Sequence, residues 1–290
     1  MTALVVAGAI MASLGLLLSS MLALANKKLY IAEDPRIEAA ENLLPHANCG
    51  ACGFPGCRAF AEALVTGETT PGRCTASSAE AVKSMAALLG AEADMRAKRV
   101  ARLACAGSRH VARHRALYRG LESCRAASLV GGGGKGCAWG CLGLGDCAAS
   151  CPFGAITLNE HYLPVVDEDK CTACGECVIA CPKKLFSLHD AGHRLWVACS
   201  NQQMGRAAEA ECEVACTGCG RCVHDAAEGL ISIVDNLATI DYSKNDLASL
   251  DAIQRCPTGA IVWIDPEKGP IKGLKPKQVA RVELVGASKD

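Results

Sequence analysis

Large rings are scarce in this 290-residue chain, which has four Phe, four Tyr and three Trp. The side chains that contribute most buried area per residue are therefore largely missing from any core it builds. Net charge is also missing: 30 Lys and Arg balance 30 Asp and Glu, so there is no global electrostatic reason to expect a nucleic-acid partner. The first 26 residues carry no charged side chain at all. No complete dinucleotide fingerprint occurs, and the run Gly131–Gly134-Lys135-Gly136 lacks the Ser or Thr that a phosphate loop places after its lysine. What is abundant is cysteine. Its 20 copies divide evenly by the four ligands that a 4Fe-4S cluster or a structural zinc requires. The chain is too long for a small disulfide-stapled module and too apolar for a disordered one.

The uncharged run ends at Lys27-Lys28 and is long enough to cross a bilayer. A cleaved signal peptide is the alternative, but there is no positively charged segment before the apolar run, which is itself longer than a typical signal core. With the lysines at its carboxyl end, the positive-inside rule puts the rest of the chain in the cytoplasm. Thiols stay reduced there, so the cysteines read as metal ligands rather than disulfide partners.

The chain divides into a transmembrane anchor (1–26), a linker (27–45), a four-cysteine domain (46–75), a helical connector with a glycine hinge (76–136), a two-cluster module (137–198), a second, degenerate module (199–266) and a tail (267–290). The alanine-rich stretch from Thr75 to about Tyr118 reads as mostly helical, with Met85 and Met95 as core positions. Within it, His110 and His114 sit four apart, on a solvated helix face rather than a metal site. Eight Lys or Arg and no acid lie between Arg96 and Arg119. That run is either an ordinary charged helix or a docking strip for an acidic ferredoxin or anionic lipid.

The strongest motif is Cys171-x2-Cys174-x2-Cys177-x3-Cys181-Pro182, a spacing that wraps one cubane and hands its fourth cysteine to a neighbouring cluster. Cys151, in Cys147-x3-Cys151-Pro152, is the remote ligand that completes 171/174/177, and Cys181 completes the other set by the same crossing. The other loop departs from the pattern, because Leu144 stands where a cysteine is expected. Cys137 is the nearest substitute, giving 137/141/147/181. The later block keeps Cys216, Cys219 and Cys222 with Cys256-Pro257, and Ala226-Ala227 stands where a second Cys-Pro would fall. One set, 216/219/222/256, survives there. Near the start, Cys49, Cys52, Cys57 and Cys74 make a further set, for which zinc is a rival. Cys105, Cys124, Cys199 and Cys212 are left over. They occupy matching places in the two halves, where Leu-Ala-Cys105 echoes Val-Ala-Cys199, and are either a fifth site or buried free thiols.

These residues resemble a known family, the B subunits of the Rnf complex, the membrane-bound ion-translocating ferredoxin:NAD oxidoreductase. The resemblance is carried by the apolar anchor, the run Asn48-Cys49-Gly50-Ala51-Cys52-Gly53-Phe54-Pro55-Gly56-Cys57, the run Gly140-Cys141-Leu142-Gly143-Leu144-Gly145-Asp146-Cys147, and the Cys-Pro-x-Gly-Ala-Ile signatures. The chain is similar to the longer form of those proteins, with an additional ferredoxin-like module. The resemblance implies ligands at 49, 52, 57 and 74 and at 171, 174, 177 and 181. It also implies electron relay between soluble ferredoxin and the other membrane subunits, as part of an oxidoreductase. The expected fold is α+β: one transmembrane helix, a small four-cysteine 4Fe-4S domain and two ferredoxin-like modules. The expected cofactors are four 4Fe-4S clusters, with the candidate fifth. The expected setting is the inner (cytoplasmic) membrane, spanned once, with the cluster domain on the cytoplasmic side, no catalytic acid or base, no nucleic acid and no direct NAD site. The alternatives are the electron-transfer subunit of another membrane redox complex, a hydrogenase or reductase, and, from a different class, a zinc-stabilised membrane scaffold.

Overall fold

The uncharged amino-terminal run forms helix α1 (Thr2–Leu29) in a computed structural model that describes residues 2–29, 33–94 and 96–274. Its apolar window, Val6–Leu29, has a mean hydropathy of 2.0 and is 0% buried against the rest of the chain. At ~1.5 Å per residue the helix is about 42 Å long, more than a hydrocarbon core of about 30 Å needs. The hydroxyls of Ser13, Ser19 and Ser20 donate to carbonyls three or four residues back. They therefore demand no water partner along an apolar surface. Met95 and residues 275–290 of the expected tail lie outside the described residues.

Three helices make the next unit: α2 (Pro35–Asn42), α3 (Cys57–Val65) and α4 (Ala79–Leu89). Asp34 caps α2 with Pro35 in the first turn, Ser78 accepts from the Ala81 N–H at the start of α4, and Gly90 ends α4 at φ 64°. Their apolar faces meet on Ala40, Leu44, Phe60, Leu64, Val82 and Met85.

Strand β1 (Arg99–Leu103) follows, where a mostly helical stretch was expected. Alanine favours helix only weakly per residue. Here that preference yields to antiparallel pairing with β4 (Phe186–Asp190), in the register Arg99↔Asp190 to Leu103↔Phe186. Between these strands lie α5 (Cys124–Leu129), α6 (Asp146–Ala149), the hairpin of β2 (Ile156–Leu158) and β3 (Pro164–Val166), and α7 (Glu176–Ala180). The second half repeats the plan. Strand β5 (Leu195–Val197) leads to α8 (Arg206–Glu211), α9 (Arg221–Asp225) and the hairpin of β6 (Ile231–Val234) and β7 (Leu237–Ile240). Helix α10 (Asp251–Gln254) then leads to β8 (Ile261–Asp265), which pairs antiparallel with β5 and with β9 (Gly269–Ile271). The first repeat thus opens at β1 rather than near 137.

Gly131–Gly134 is a turn packed tightly at Gly133 and Gly134 rather than a loose hinge. All four residues have positive φ, and the Gly134 carbonyl accepts from the N–H groups of Arg115 and Ala116 at 2.7 and 3.3 Å. A Cβ at Gly134 would stand 2.0 Å from the Ala116 carbonyl oxygen, so only glycine fits there.

Candidate metal centres

All 20 cysteines are free thiols. They line five cavities, four to each. Cys49, Cys52, Cys57 and Cys74 surround the first, in the helical unit. The α3 amino terminus is fixed there by Asn48, whose Oδ1 accepts from the Cys57 N–H at 2.8 Å. Cys151, Cys171, Cys174 and Cys177 surround the second, with backbone N–H groups of Ala155 and Ala101 donating to the sulfurs of Cys151 and Cys171 at 3.4 Å. Cys216, Cys219, Cys222 and Cys256 surround another in the second module. These three groupings match the sets read from the sequence.

The other two exchange one member each. The cavity containing Cys141, Cys147 and Cys181 is completed by Cys124, not Cys137. Cys137 instead joins Cys105, Cys199 and Cys212. The cause is tertiary. Asp146 accepts from the N–H groups of Cys124 and Arg125 at 2.8 and 3.1 Å and from the Ser123 hydroxyl at 3.0 Å. That clamp holds the first turn of α5 against the Cys147 helix and brings the Cys124 thiol to this cavity. One sequence signal for the exchange was available: Cys137-x3-Cys141 has the same spacing as Cys212-x3-Cys216, which pairs Cys137 with Cys212.

Burial raises the thiol pKa values, to about 12 for Cys141, Cys147, Cys177, Cys199 and Cys222 and to about 11 for Cys212. Bare thiols in these cavities are neutral, and a bound metal would have to displace their protons. A tetrahedral zinc, with Zn–S of about 2.3 Å, requires sulfurs within about 4 Å of one another. Among the described residues no three or more His, Cys, Asp or Glu are gathered as the ligands of one single metal ion. Four thiols around one cavity, several accepting backbone N–H groups, suit a larger body with sulfur-bound corners, as an iron–sulfur cubane has.

A family described as "4Fe-4S dicluster domain" matches residues 136–185, and one described as "Putative Fe-S cluster" matches residues 44–76. The chain is 40% identical over 261 residues to the B subunit of the Na+-translocating ferredoxin:NAD+ oxidoreductase complex of Acetobacterium woodii, covering 90% of this chain and 78% of that one. It is 36% identical to the B subunit of the ion-translocating oxidoreductase complex of Methanosarcina acetivorans, over 87% of this chain and 96% of the relative. It is 37% identical to the proton-translocating counterpart of Clostridium ljungdahlii, over 87% and 89%. The chain belongs to the Rnf B-subunit family. It is an iron–sulfur electron-transfer subunit of a membrane-associated, multi-subunit oxidoreductase.

In this member of the Rnf B-subunit family, the basic stretch is neither a helix nor one continuous strip. Arg102 is buried and paired with Glu168, Arg115 pairs with Glu211, and Lys98 pairs with Asp169. Arg109 lies over the Tyr162 ring at 3.4 Å. His110 and His114 do not share a helix face. His110 packs against His161 with ring centroids 3.9 Å apart, while His114 bridges in β fashion to Lys135. Met85 is fully buried, as expected.

Proposed function

We propose that the chain is a membrane-anchored relay that carries single electrons between soluble ferredoxin and the other subunits of an ion-translocating ferredoxin:NAD oxidoreductase. Four 4Fe-4S clusters would be held by 49/52/57/74, by 151/171/174/177, by 124/141/147/181 and by 216/219/222/256. Iron in such clusters supplies one-electron chemistry. The chain's own residues supply thiolates, N–H donors to sulfur and burial, which set the potentials. No acid, base or nucleophile is required.

The observation that carries the reading is the set of four thiols around each cavity, two of these sets being in contact: Cys147 and Cys177 share one buried cluster, with Cys151, Cys171 and Cys181 packed against it. Ferredoxin is the soluble partner by analogy with the relatives, and the lipid partner is the bilayer that α1 would span once. Lys27 and Lys28 would keep the cluster-bearing part on the cytoplasmic side.

Anaerobically purified full-length chain should contain iron and acid-labile sulfide in equal amounts, be brown, and give EPR signals on reduction by ferredoxin. Colourless protein containing zinc instead would overturn the relay. Protease added to right-side-out vesicles should spare residues 33–274. Rapid digestion there would reverse the topology.

A further inference from the structure

We infer that Cys105, Cys137, Cys199 and Cys212 hold a fifth iron–sulfur cluster at the junction of the two modules, with Lys135 as its fixed counter-charge and Asn201 as a side-chain donor to it. The inference rests on the reading of the four other sites as iron–sulfur centres.

The junction is built twice over. Cys105 and Cys199 each follow the opening strand of a module, β1 and β5. Each sulfur receives the backbone N–H two residues on, from Gly107 and from Asn201, at 3.4 Å. Each also receives the N–H of a cysteine in a flanking site, from Cys141 at 3.4 Å and from Cys216 at 3.2 Å. Cys137 and Cys212 stand four residues before those same two cysteines. Each module thus contributes one thiol from its strand and one from its loop, and all four residues are 7–9% exposed. Gly107 fits between two of the sulfurs: a Cβ there would lie 3.1 Å from the Cys212 sulfur and 3.5 Å from that of Cys105.

Buried free thiols would explain the burial but not the rest. A neutral thiol is a weak acceptor, yet two of these sulfurs accept two N–H groups apiece, the arrangement that favours a thiolate. Asn201 lines the cavity and is 1% exposed. Its Oδ1 accepts from the Gln203 N–H at 2.8 Å, which fixes the amide, and its Nδ2 has no partner. A buried donor left unmatched is costly; a sulfide at this place would match it. Lys135 lines the same cavity, is 8% exposed, and donates to the uncharged carbonyls of Gly107 and Cys141. A buried ammonium needs an anion nearby, and a cluster with four thiolates is one.

Because Cys141 and Cys216 donate to its sulfurs, this site lies between the 124/141/147/181 set and the 216/219/222/256 set. Cys105, Cys137, Cys199 and Cys212 would hold a group able to accept one electron from one flanking site and to pass one on to the other. Each donor would be oxidised and each acceptor reduced by one electron, with no bond made or broken and no proton required.

The test is iron per full-length chain with EPR-monitored redox titration. The parent should bind about twenty irons, four per cluster, and Cys137→Ala/Cys199→Ala should lose about four of them with one redox transition. About sixteen irons in the parent, or no loss in the double variant, would overturn the fifth site while leaving the relay intact. No iron in the parent would overturn the relay itself. Lys135→Met and Asn201→Leu keep every thiol and guard against a double variant that does not fold. Each should keep its iron and shift one midpoint downward, since each removes a group that favours the more negative, reduced state. Unchanged midpoints in both would overturn their assigned roles.

Discussion

The two modules share a plan and differ in what fills them. The first, from β1 to β4, keeps a buried apolar cluster of only five residues, two of them Cys147 and Cys177. The second, from β5 to β9, belongs to a cluster of seventeen, including Leu195, Leu230, Ile253 and Ile261. It has one four-cysteine cavity of its own where the first has two. Hydrocarbon has taken over in the module that lacks the second Cys-Pro. The scaffold of paired strands and hairpin tolerates either filling, and what changes is the source of cohesion.

Metal removal should split the comparison most widely. Treatment with a chelator under oxidising conditions should unfold the first module and leave the second largely protected, because ligand-bound cofactors are folding free energy where little apolar core exists. Limited proteolysis with mass spectrometry reads this directly. Equal protection of residues 99–190 and 195–271 would remove the distinction. The converse experiment is Ile253→Ala, fully buried in the second module. It should cost about 2–5 kcal/mol there, measured by denaturant unfolding of the holoprotein, and leave the EPR of the first module's sites unchanged.

A narrower break uses the exchanged cysteines. Cys124→Ala should remove the 124/141/147/181 centre, about four irons, and Leu144→Cys in that background should restore part of it. Full iron in Cys124→Ala, with loss in Cys137→Ala of that same EPR signal, would return the assignment to the sequence expectation. The smallest effect is expected from Asp146→Asn, which leaves the fold in place but weakens the clamp on α5. Loss of this capping-type interaction should cost about 1 kcal/mol and shift one EPR signal, with iron content retained.

The cysteine loops were legible in the sequence because their geometry is local. In Cys171-x2-Cys174-x2-Cys177 the spacing itself wraps a cavity, and the remote cysteines that join such cavities, Cys151, Cys181 and Cys256, carry a proline that marks them. Cys124 had no such mark. It reaches its site through Asp146, 22 residues away in sequence, and a contact of that kind leaves no period to read. Strand β1 was hidden for a related reason. Its burial runs exposed, buried, buried, buried, intermediate rather than alternating, and its alanines and arginines are as common in helices. The glycine run was read as freedom when its left-handed backbone and the closeness of Ala116 make it a constraint.

The order of the ligands along the polypeptide has a bearing on how the protein is made. On the proposed sets, the ribosome releases the last thiol of each site at Cys74, Cys177, Cys181, Cys212 and Cys256 in turn. Read in that order, the sites are the helical unit, the 151/171/174/177 set, its neighbour, the junction and the final set. From the second site on, this is also the order in which the cavities adjoin one another. Across the two modules, synthesis would therefore complete the proposed wire in one direction, each new site closing next to one already able to load.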